Sequence, residues 1–561
     1  MERIAAGIDL GTTYSCISVI DETMRPVVVQ NKEGSKVTPS VVYFENDDNT
    51  IVGQTAKGYA TLEPESVCEF VKRKMGRTAT AITYHGKVYS PEQISSLILR
   101  KLVEDAEENL NKEIRDVVVT CPAYFGLAER NATKAAAEMA GLHVLEIINE
   151  PTAAALYYGC LRNADGKVVL VYDLGGGTFD VTIIRITPDK IIAIATGGDH
   201  ELGGKNWDDV IIEYFKESFA EHKGIEIECD LEVESDLREK AERTKIMLSV
   251  TTEARNTFFI NNIRDMVRLS RDDFESMTSD KIRRTIDITR ETLEAAKAKG
   301  VDAVDEIIMV GGSCRMPMVG NALREAFPDI PILPFEPDEA VAKGAAIHAD
   351  DLIHKRNTLQ KWIDLFEGNK TSEKTSDTID TEALESFIVK NGGASEEILG
   401  LIRGKKSLNV DELLSQCSRL VNITSKSFGI ELVDENGKVF VQNLIRKQQE
   451  VPVSVTRMVG TEEDNALTAD LIVYENDEDT DQFDVSFHKP LGQAVLELPP
   501  NLPARSRIEL TFSLNTEGLL IVEGIEPNSG YRVKAEMHSS SILSREQIVE
   551  QTELIRSLKL I

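Results

Sequence analysis

The chain has 561 residues, far more than one apolar core holds, and 42% of them are hydrophobic, which excludes a disordered polymer and predicts roughly three folded domains. Its 94 acidic against 63 basic residues leave a net charge of −31, which excludes broad binding to nucleic acid or anionic membrane, because such a field repels phosphate-rich polymers. Seven scattered cysteines without a CxxC pair, eight histidines without metal-ligand spacing, no signal-peptide pattern in MERIAAGIDLG and no apolar run near the roughly 20 residues of a membrane span predict a reduced, cytoplasmic protein without membrane anchor.

Residues 1 to about 350 alternate strand and helix patterns, as an α/β domain does. The first motif is Asp9-Leu10-Gly11-Thr12-Thr13-Tyr14-Ser15, set between apolar runs from Ile4 to Ile8 and Cys16 to Ile20: strand, tight turn, strand. Phe70 to Gly76 carries Lys72 in a basic run. Gln93 to Leu110 has helical spacing, Val117 to Thr120 is a buried-strand run, and Cys121-Pro122-Ala123-Tyr124-Phe125 ends that strand in a turn. A helix from Glu129 to Ala140 stops at Gly141. Ile148 to Ala154 presents Glu150 just before a further helix. Asp173-Leu174-Gly175-Gly176-Gly177-Thr178-Phe179-Asp180 then repeats the first motif between Val168 to Tyr172 and Val181 to Ile184. A glycine turn, Leu202-Gly203-Gly204, follows. Ile307 to Val310 is a strand leading through Gly311-Gly312-Ser313 to a helix from about Met316, and Asp338 to Ala346 is a helix of small residues.

Beyond residue 354 the character changes. Lys355 to Phe366 predicts a short amphipathic helix, Glu367 to Asp377 a polar loop, and Glu382 to Lys390, Glu396 to Arg403 and Asn409 to Ser418 three more helices, the first two separated by Asn391-Gly392-Gly393. Residues 355–417 thus form either a small helical insert or a tether with transient helix. From Phe428 to Glu536 the period becomes two, with Ile508, Leu510, Phe512 and Leu514 alternating with polar residues and turns at Asp434 to Gly437 and Asn515 to Gly518, which predicts an antiparallel β domain. Asp477 to Asp481 reads as a solvated acidic loop. Ser544 and Gln547 form a capping box, and Ile548, Leu554, Ile555 and Leu558 carry a helical stripe to Ile561.

Glycine lets backbone approach a phosphate and leaves amides free to point at its oxygens; threonine hydroxyls add donors, and aspartates hold magnesium directly or through water. One such turn is usually just a hairpin with glycine at the bend. Two copies of one grammar, far apart, predict a nucleotide clamped between related halves. Lys72 can reach a terminal phosphate, though a lysine in a basic run is more often solvated. Glu150 is equally a helix-start residue favoured by the dipole. The small residues at 338–346 equally serve close helix packing.

In this order the segments DLGTTYS, CPAYF, INEPTAAAL, DLGGGTFD and VGGSCRMP resemble the DnaK-type seventy-kilodalton heat-shock chaperones, strongly over about residues 3 to 350 and more weakly over 420 to 545. The resemblance implies a two-lobed actin-like ATPase with ribonuclease H-like duplicated halves (1–354), then the helical insert (355–417), an interdomain linker (418–424), an antiparallel β-sandwich that binds substrate (425–538) and a truncated C-terminal helix (539–561). It implies slow hydrolysis of ATP to ADP with Mg2+, binding and release of extended apolar segments of unfolded proteins, a J-domain co-chaperone, a nucleotide exchange factor and a monomer.

Residue by residue, it implies that Asp9, Gly11, Thr12, Thr13 and Tyr14 form the first phosphate loop, with Asp9 near the metal. Lys72 orients the γ-phosphate and the attacking water, while Glu150 and Asp173 organise the magnesium shell and that water. Gly175, Gly176, Gly177 and Thr178 form the second phosphate loop beside Asp180, with Gly203 and Gly204 near the cleft. Glu242, Lys245 and Ser249 sandwich the adenosine against Gly311, Gly312, Ser313 and Arg315, and Asp338 closes the site. Pro122 and Arg130 belong to an interdomain switch. Ile430, Leu432 and Val433 line a peptide groove, or are only core of the sandwich.

The chain departs from the family pattern in three places. Ser418-Arg419-Leu420-Val421-Asn422-Ile423 replaces a strongly apolar linker ending in aspartate, and Thr424-Ser425 replaces Thr-Pro, which predicts interdomain coupling that is weaker or routed through the insert. Lys205-Asn206 stands where the family has two acids. One helix stands where the family has a long lid, so a bound peptide should leave quickly. These departures motivate an alternative, a regulatory module that binds ATP structurally and docks one dedicated protein; a small-molecule kinase is a third reading.

Overall fold

Both aspartate–glycine turns close a hairpin at the end of a mixed sheet. Arg3–Asp9 runs antiparallel to Tyr14–Ile20 and parallel to Glu113–Cys121, which is itself parallel to His143–Asn149. Val168–Leu174 repeats the arrangement, antiparallel to Phe179–Ile186 and parallel to Glu306–Val310, which is parallel to Ile332–Pro334. The strands Pro26–Val28 and Ile191–Asp199 continue the hairpin side of each sheet. The repeated motif in the sequence is therefore a repeated strand order in space. The computed structural model describes residues 3–162, 164–188, 190–227, 229–260, 263–368, 378–391, 396–403, 407–409, 417–418, 420–434, 437–461, 463–465, 467–485, 489–515, 520–527, 531–538 and 543–561.

Helix Ala340–Gly368 lies across the junction of the two sheets, and its small residues are there to let backbones touch. A Cβ on Gly7 would fall 2.0 Å from the Ala346 nitrogen, and one on Gly344 would fall 1.8 Å from the Ala153 oxygen. The small-residue helix and the amphipathic helix expected from Lys355 are one continuous element of 29 residues, which runs through the boundary expected at 354/355 and takes in Glu367. Nothing between them stops a helix: His348 to Lys355 contains neither glycine nor proline.

Two described helices that follow pack against this long helix. Helices Thr381–Lys390 and Glu396–Ile402 bury Leu384, Ile388, Ile398, Leu399 and Ile402 against Leu359, Ile363 and Phe366. Asn409, expected to begin a helix, ends the strand Ser407–Asn409. The rest of that expected helix over 410–416, the polar loop over 369–377 and the glycines 392–393 lie outside the described residues.

The segment expected as a linker holds a two-residue strand. Leu420–Val421 pairs parallel with Ile191–Ile192 at the edge of the second sheet. Among the described residues the β part follows as nine antiparallel strands, and Ile508, Leu510, Phe512 and Leu514 are buried alternately as their period requires. Gly437 turns the chain at φ +78°, while 435–436 and 516–519, at the two expected turns, lie outside the described residues. Asp477 and Asp481 of the acidic loop are tied down by Lys426 and Arg446.

The β part is docked on the sheets. Leu127, at the start of helix Leu127–Met139, is buried in the apolar cluster of Phe428, Ile430, Leu444 and Leu514. Its N–H donates to Glu475 Oε1 at 2.8 Å. Gln448 pairs through its amide with both backbone groups of Thr196 (3.2 and 2.7 Å), and Lys299 Nζ donates to the Ile194 and Gln448 oxygens (2.6 and 2.7 Å).

At the C-terminal side the capping box starts helix Arg545–Ser557 as expected, but the helix does not reach Ile561. Leu558 turns extended (ψ 128°), and Lys559–Leu560 pairs parallel with Asn49–Thr50, adding a strand to the sheet of Asn49–Val52, Val42–Phe44 and Val67–Cys68. Arg100, on helix Pro91–Leu110, donates to the Ile555 oxygen at 3.2 Å and the Leu558 oxygen at 2.8 Å, satisfying carbonyls the helix end leaves open. Ile555 and Leu558 are buried in the core of the first sheet.

Candidate nucleotide site

A cavity of about 850 Å³ opens between the two hairpin turns. It is lined by Asp9, Gly11, Thr12, Thr13 and Tyr14 from the first turn and by Asp173, Gly175, Gly176 and Thr178 from the second. Lys72, Glu150, Glu242, Lys245 and Ser249 line it too, as do Gly311, Gly312, Ser313, Arg315 and Asp338. Gly177, Gly203 and Gly204 stand behind this wall, where they let two loops meet: the Gly204 N–H donates to the Gly175 oxygen at 3.0 Å, and a Cβ on Gly203 would fall 2.4 Å from the Gly177 carbon.

Lys72 is not a solvated lysine. It is 5% exposed in the short 3-10 turn Val71–Lys74, and its Nζ donates to Glu150 Oε1 at 2.5 Å. Burial opposes its charge, but Glu150 and Asp9 outweigh that and raise its pKa. Asp9 is held up to about 7 by burial and Glu150, against the pull of Lys72 and the Thr120 hydroxyl at 3.3 Å. Asp173 and Asp180 are pushed well above the carboxylate range, by burial first and then by Glu150. Three buried carboxylates, Glu150, Asp173 and Asp180, and the half-buried Asp9 thus face one buried lysine, a charge balance that a divalent cation would restore. Among the described residues no group of three His, Cys, Asp or Glu side chains converges closely enough to cage a metal.

The far end of the cavity is built from helix Leu231–Val250. Lys57 Nζ donates to Glu242 Oε2 at 2.5 Å and to the Tyr14 hydroxyl at 3.0 Å, joining this helix to the first turn. Lys245 Nζ donates to Asp208 at 2.7 Å and to the Gly204 oxygen at 3.0 Å. Ser313 Oγ donates to the Gly175 oxygen at 2.8 Å, and Arg315 is ion-paired with Asp338. Gly311 needs its φ of +83°, and a Cβ there would fall 2.4 Å from Asp173 Oδ1.

The Lys205-Asn206 departure has a structural role. Asn206 Oδ1 accepts from the Gly203 N–H at 2.9 Å and from Arg73 Nη2 at 3.0 Å, while Arg73 Nε donates to the Gly177 oxygen at 3.0 Å. Together they brace the second glycine turn. Lys205 lines the cavity and pairs with Asp209 at 2.8 Å. Sequence reasoning missed Lys57 and Arg238, which line the cavity, and Arg73, which braces the second glycine turn beside it.

Of the two residues expected in a switch, Arg130 donates through Nε to the Phe125 oxygen at 3.1 Å and through its guanidinium to Asn149, next to Glu150; the Pro122 oxygen accepts from the Phe125 N–H at 3.1 Å. Of the three groove residues, Ile430 is wholly buried in the core, Leu432 is partly buried against it, and Val433 is 56% exposed.

A family model described as Hsp70 protein matches residues 5–361. The chain is 36% identical over 507 residues to the Chaperone protein DnaK of Thermosipho melanesiensis, covering 84% of each chain. It is 34% identical over 560 residues to the Chaperone protein DnaK of Thermotoga neapolitana and to that of Thermotoga maritima, covering 98% of this chain and 83% of theirs. With more than half its length matched by the family model, and with the two glycine turns facing one cavity, the chain belongs to the Hsp70 family.

Proposed function

We infer that the cavity between the two hairpin turns is the ATPase site of an ATP-dependent chaperone, and that it takes ATP or ADP with Mg2+. The buried Lys72–Glu150 pair, set between two glycine–threonine turns, carries this reading. The triphosphate would be held by the turns at 11–14 and 175–178, and its base would be held by helix Leu231–Val250 and Gly311–Arg315. Asp9 and Asp173 are the residues that would hold the metal, which when bound neutralises charge on the phosphates. Lys72 contributes a fixed positive charge toward the terminal phosphate, and its pairing with Glu150 keeps both groups oriented. Phosphoryl transfer needs mainly such positioning and charge neutralisation. Turnover in this reading is slow, which suits a timer.

The repeated strand order supports two lobes of an actin-like ATPase, with the insert after the long helix and a β-sandwich from about residue 425 that binds extended apolar segments near Leu432 and Val433. A J-domain co-chaperone and an exchange factor are the expected partners, in the cytoplasm. Among the described residues no helix is long and apolar enough to cross a membrane. The regulatory-module reading loses two of its motives, since the linker is docked in the sheet and Asn206 braces the glycine turn.

Single-turnover hydrolysis of Mg-ATP, with and without an apolar peptide, tests the reading. Hydrolysis that the peptide accelerates is the expected outcome. Hydrolysis indifferent to peptide would remove the chaperone coupling, and failure to bind Mg-ATP would remove the site.

A further inference from the structure

Phe70 holds a backbone conformation that its side chain disfavours. It stands before the 3-10 turn Val71–Lys74 at φ +55° and ψ +26°, in the left-handed region that a bulky residue enters only at a cost. Its carbonyl accepts from the Arg73 N–H at 3.1 Å, so Phe70 starts the turn that carries Lys72. A conformation of this kind persists only where surrounding contacts hold it.

The holding contacts come from the opposite wall of the cavity. Lys205 Nζ, on helix Gly204–Lys223, lies over the Phe70 ring at 5.9 Å from its centre, and the Arg238 guanidinium, on helix Leu231–Val250, lies over it at 6.0 Å. At about 6 Å a cation is drawn to the face of an aromatic ring. Each cation is aimed by a carboxylate on its own helix, Lys205 by Asp209 at 2.8 Å and Arg238 by Glu234 at 2.7 Å. Arg238 Nη1 also donates to Glu69 Oε2 at 3.5 Å, while its buried Nε meets no acceptor among the described residues, as suits a guanidinium laid over a ring. Phe70, Glu69, Lys205 and Arg238 all line the cavity. The turn is rooted on its other side, where Val71 is buried in the core of the first sheet. Phe70 and Arg73, three residues apart and so on one side of a 3-10 turn, reach the second half of the cleft, and Lys72 between them faces Glu150.

We propose that Phe70 is a positioning residue for Lys72: Lys205 and Arg238 hold its ring, the held ring keeps the backbone left-handed, and that backbone aims the turn so that Lys72 meets Glu150. The proposal rests on the ATPase reading. It also gives the two residues of the Lys205-Asn206 departure complementary tasks, since Asn206 braces the second glycine turn and Lys205 holds the turn opposite. An acid at position 205 would set a negative charge against the negative face of the ring. Once the ring is released, the left-handed residue relaxes and Lys72 loses its aim, while the glycine–threonine turns keep their shape. Hydrolysis then slows and nucleotide binding persists.

The test uses the full chain and three readouts: single-turnover ATP hydrolysis, Mg-ATP affinity by calorimetry, and hydrogen exchange of the Arg73 amide, which donates to the Phe70 carbonyl. Phe70→Leu keeps apolar bulk and loses the ring face. It should slow hydrolysis about tenfold, the worth of two ring–cation contacts, with affinity held within about twofold. Exchange at Arg73 should rise with it. Phe70→Tyr keeps the face and should restore both the rate and the protection of Arg73. Lys205→Met should slow hydrolysis about threefold alone and should add nothing to Phe70→Leu, because the contact it removes is already gone. Wild-type hydrolysis and exchange in Phe70→Leu would overturn the proposal, as would a Phe70→Tyr chain no better than Phe70→Leu, or losses from Lys205→Met and Phe70→Leu that simply add. Absence of hydrolysis in the wild-type chain would instead sink the ATPase reading, and exchange at Arg73 across the same variants would still decide whether the cations hold Phe70.

Discussion

Acidification should tighten the docking of the β part, and Glu475→Gln should abolish that response. Glu475 sits on strand Thr468–Asn476, opposite Phe428, and accepts from the Leu127 N–H across the interdomain seam. It supplies the N-terminal cap that helix Leu127–Met139 lacks, because the residue at that position is Gly126. A Cβ on Gly126 would fall 2.4 Å from Glu475 Oε1, so the glycine also makes room for the carboxyl. Burial at the seam, with Glu129 and Asp477 facing it, raises the pKa from 4.5 to about 7 against the pull of the Leu127 N–H and Lys426. In the undocked chain the carboxyl titrates near its ordinary value, so the docked form holds the proton more tightly. Docking is then strongest below the lower pKa, weakens as pH rises between the two, and changes little above about 7. A rise of that size corresponds to about 3 kcal/mol over the window, or close to tenfold in the docking equilibrium for each pH unit below 7. Energy transfer between a fluorophore on the ATPase part and one at the exposed Val433 position would follow docking from pH 8 to 5. Glu475→Gln, neutral throughout, should dock more tightly than wild type at pH 8 and show a flat profile. An unchanged slope in Glu475→Gln, or a flat wild-type profile, would refute the reasoning.

Lys72→Ala strands Glu150 as a buried, unpaired carboxylate and removes the charge aimed at the phosphate; single-turnover hydrolysis should fall by about 10²-fold or more, a larger change than in Mg-ATP affinity by calorimetry. Gly311→Ala adds a Cβ into Asp173 at a positive φ, so Mg-ATP binding by calorimetry should be lost or greatly weakened while the far-ultraviolet circular dichroism is unchanged. Leu558→Ala removes a side chain buried in the first sheet's core and should destabilise the tail by about 2–4 kcal/mol, read as faster proteolysis after residue 543.

The glycine–threonine turns were legible because each is a contiguous run whose chemistry and local fold say the same thing. Lys57, Arg73 and Arg238 were not, since each is an ordinary cation on its own segment and acquires a role only when the sheets bring it against Glu242, Gly177 or Glu69. The C-terminal stripe misled for a related reason. Leu558 falls at helical spacing from Leu554 and Ile555, yet it is buried as the first extended residue, because the edge of Asn49–Val52 accepts Lys559–Leu560. Periodicity reports which residues face a core and does not report where the backbone stops being helical.

The linker makes the same point in the opposite sense. Judged by hydropathy, Ser418 and Asn422 weaken it, and the expectation of looser coupling follows. Hydropathy counts only the burial of side chains, and here Leu420 and Ile423 are still buried. What the polar residues add is direction: the Ser418 hydroxyl donates to Glu146 and the Asn422 amide oxygen accepts from Thr152, and Glu146 and Thr152 flank Glu150. An apolar linker can leave the sheet edge by degrees. A segment held by directional hydrogen bonds, that of Asn422 to Thr152 buried, gives up those bonds together when it leaves, so its departure is closer to all-or-none.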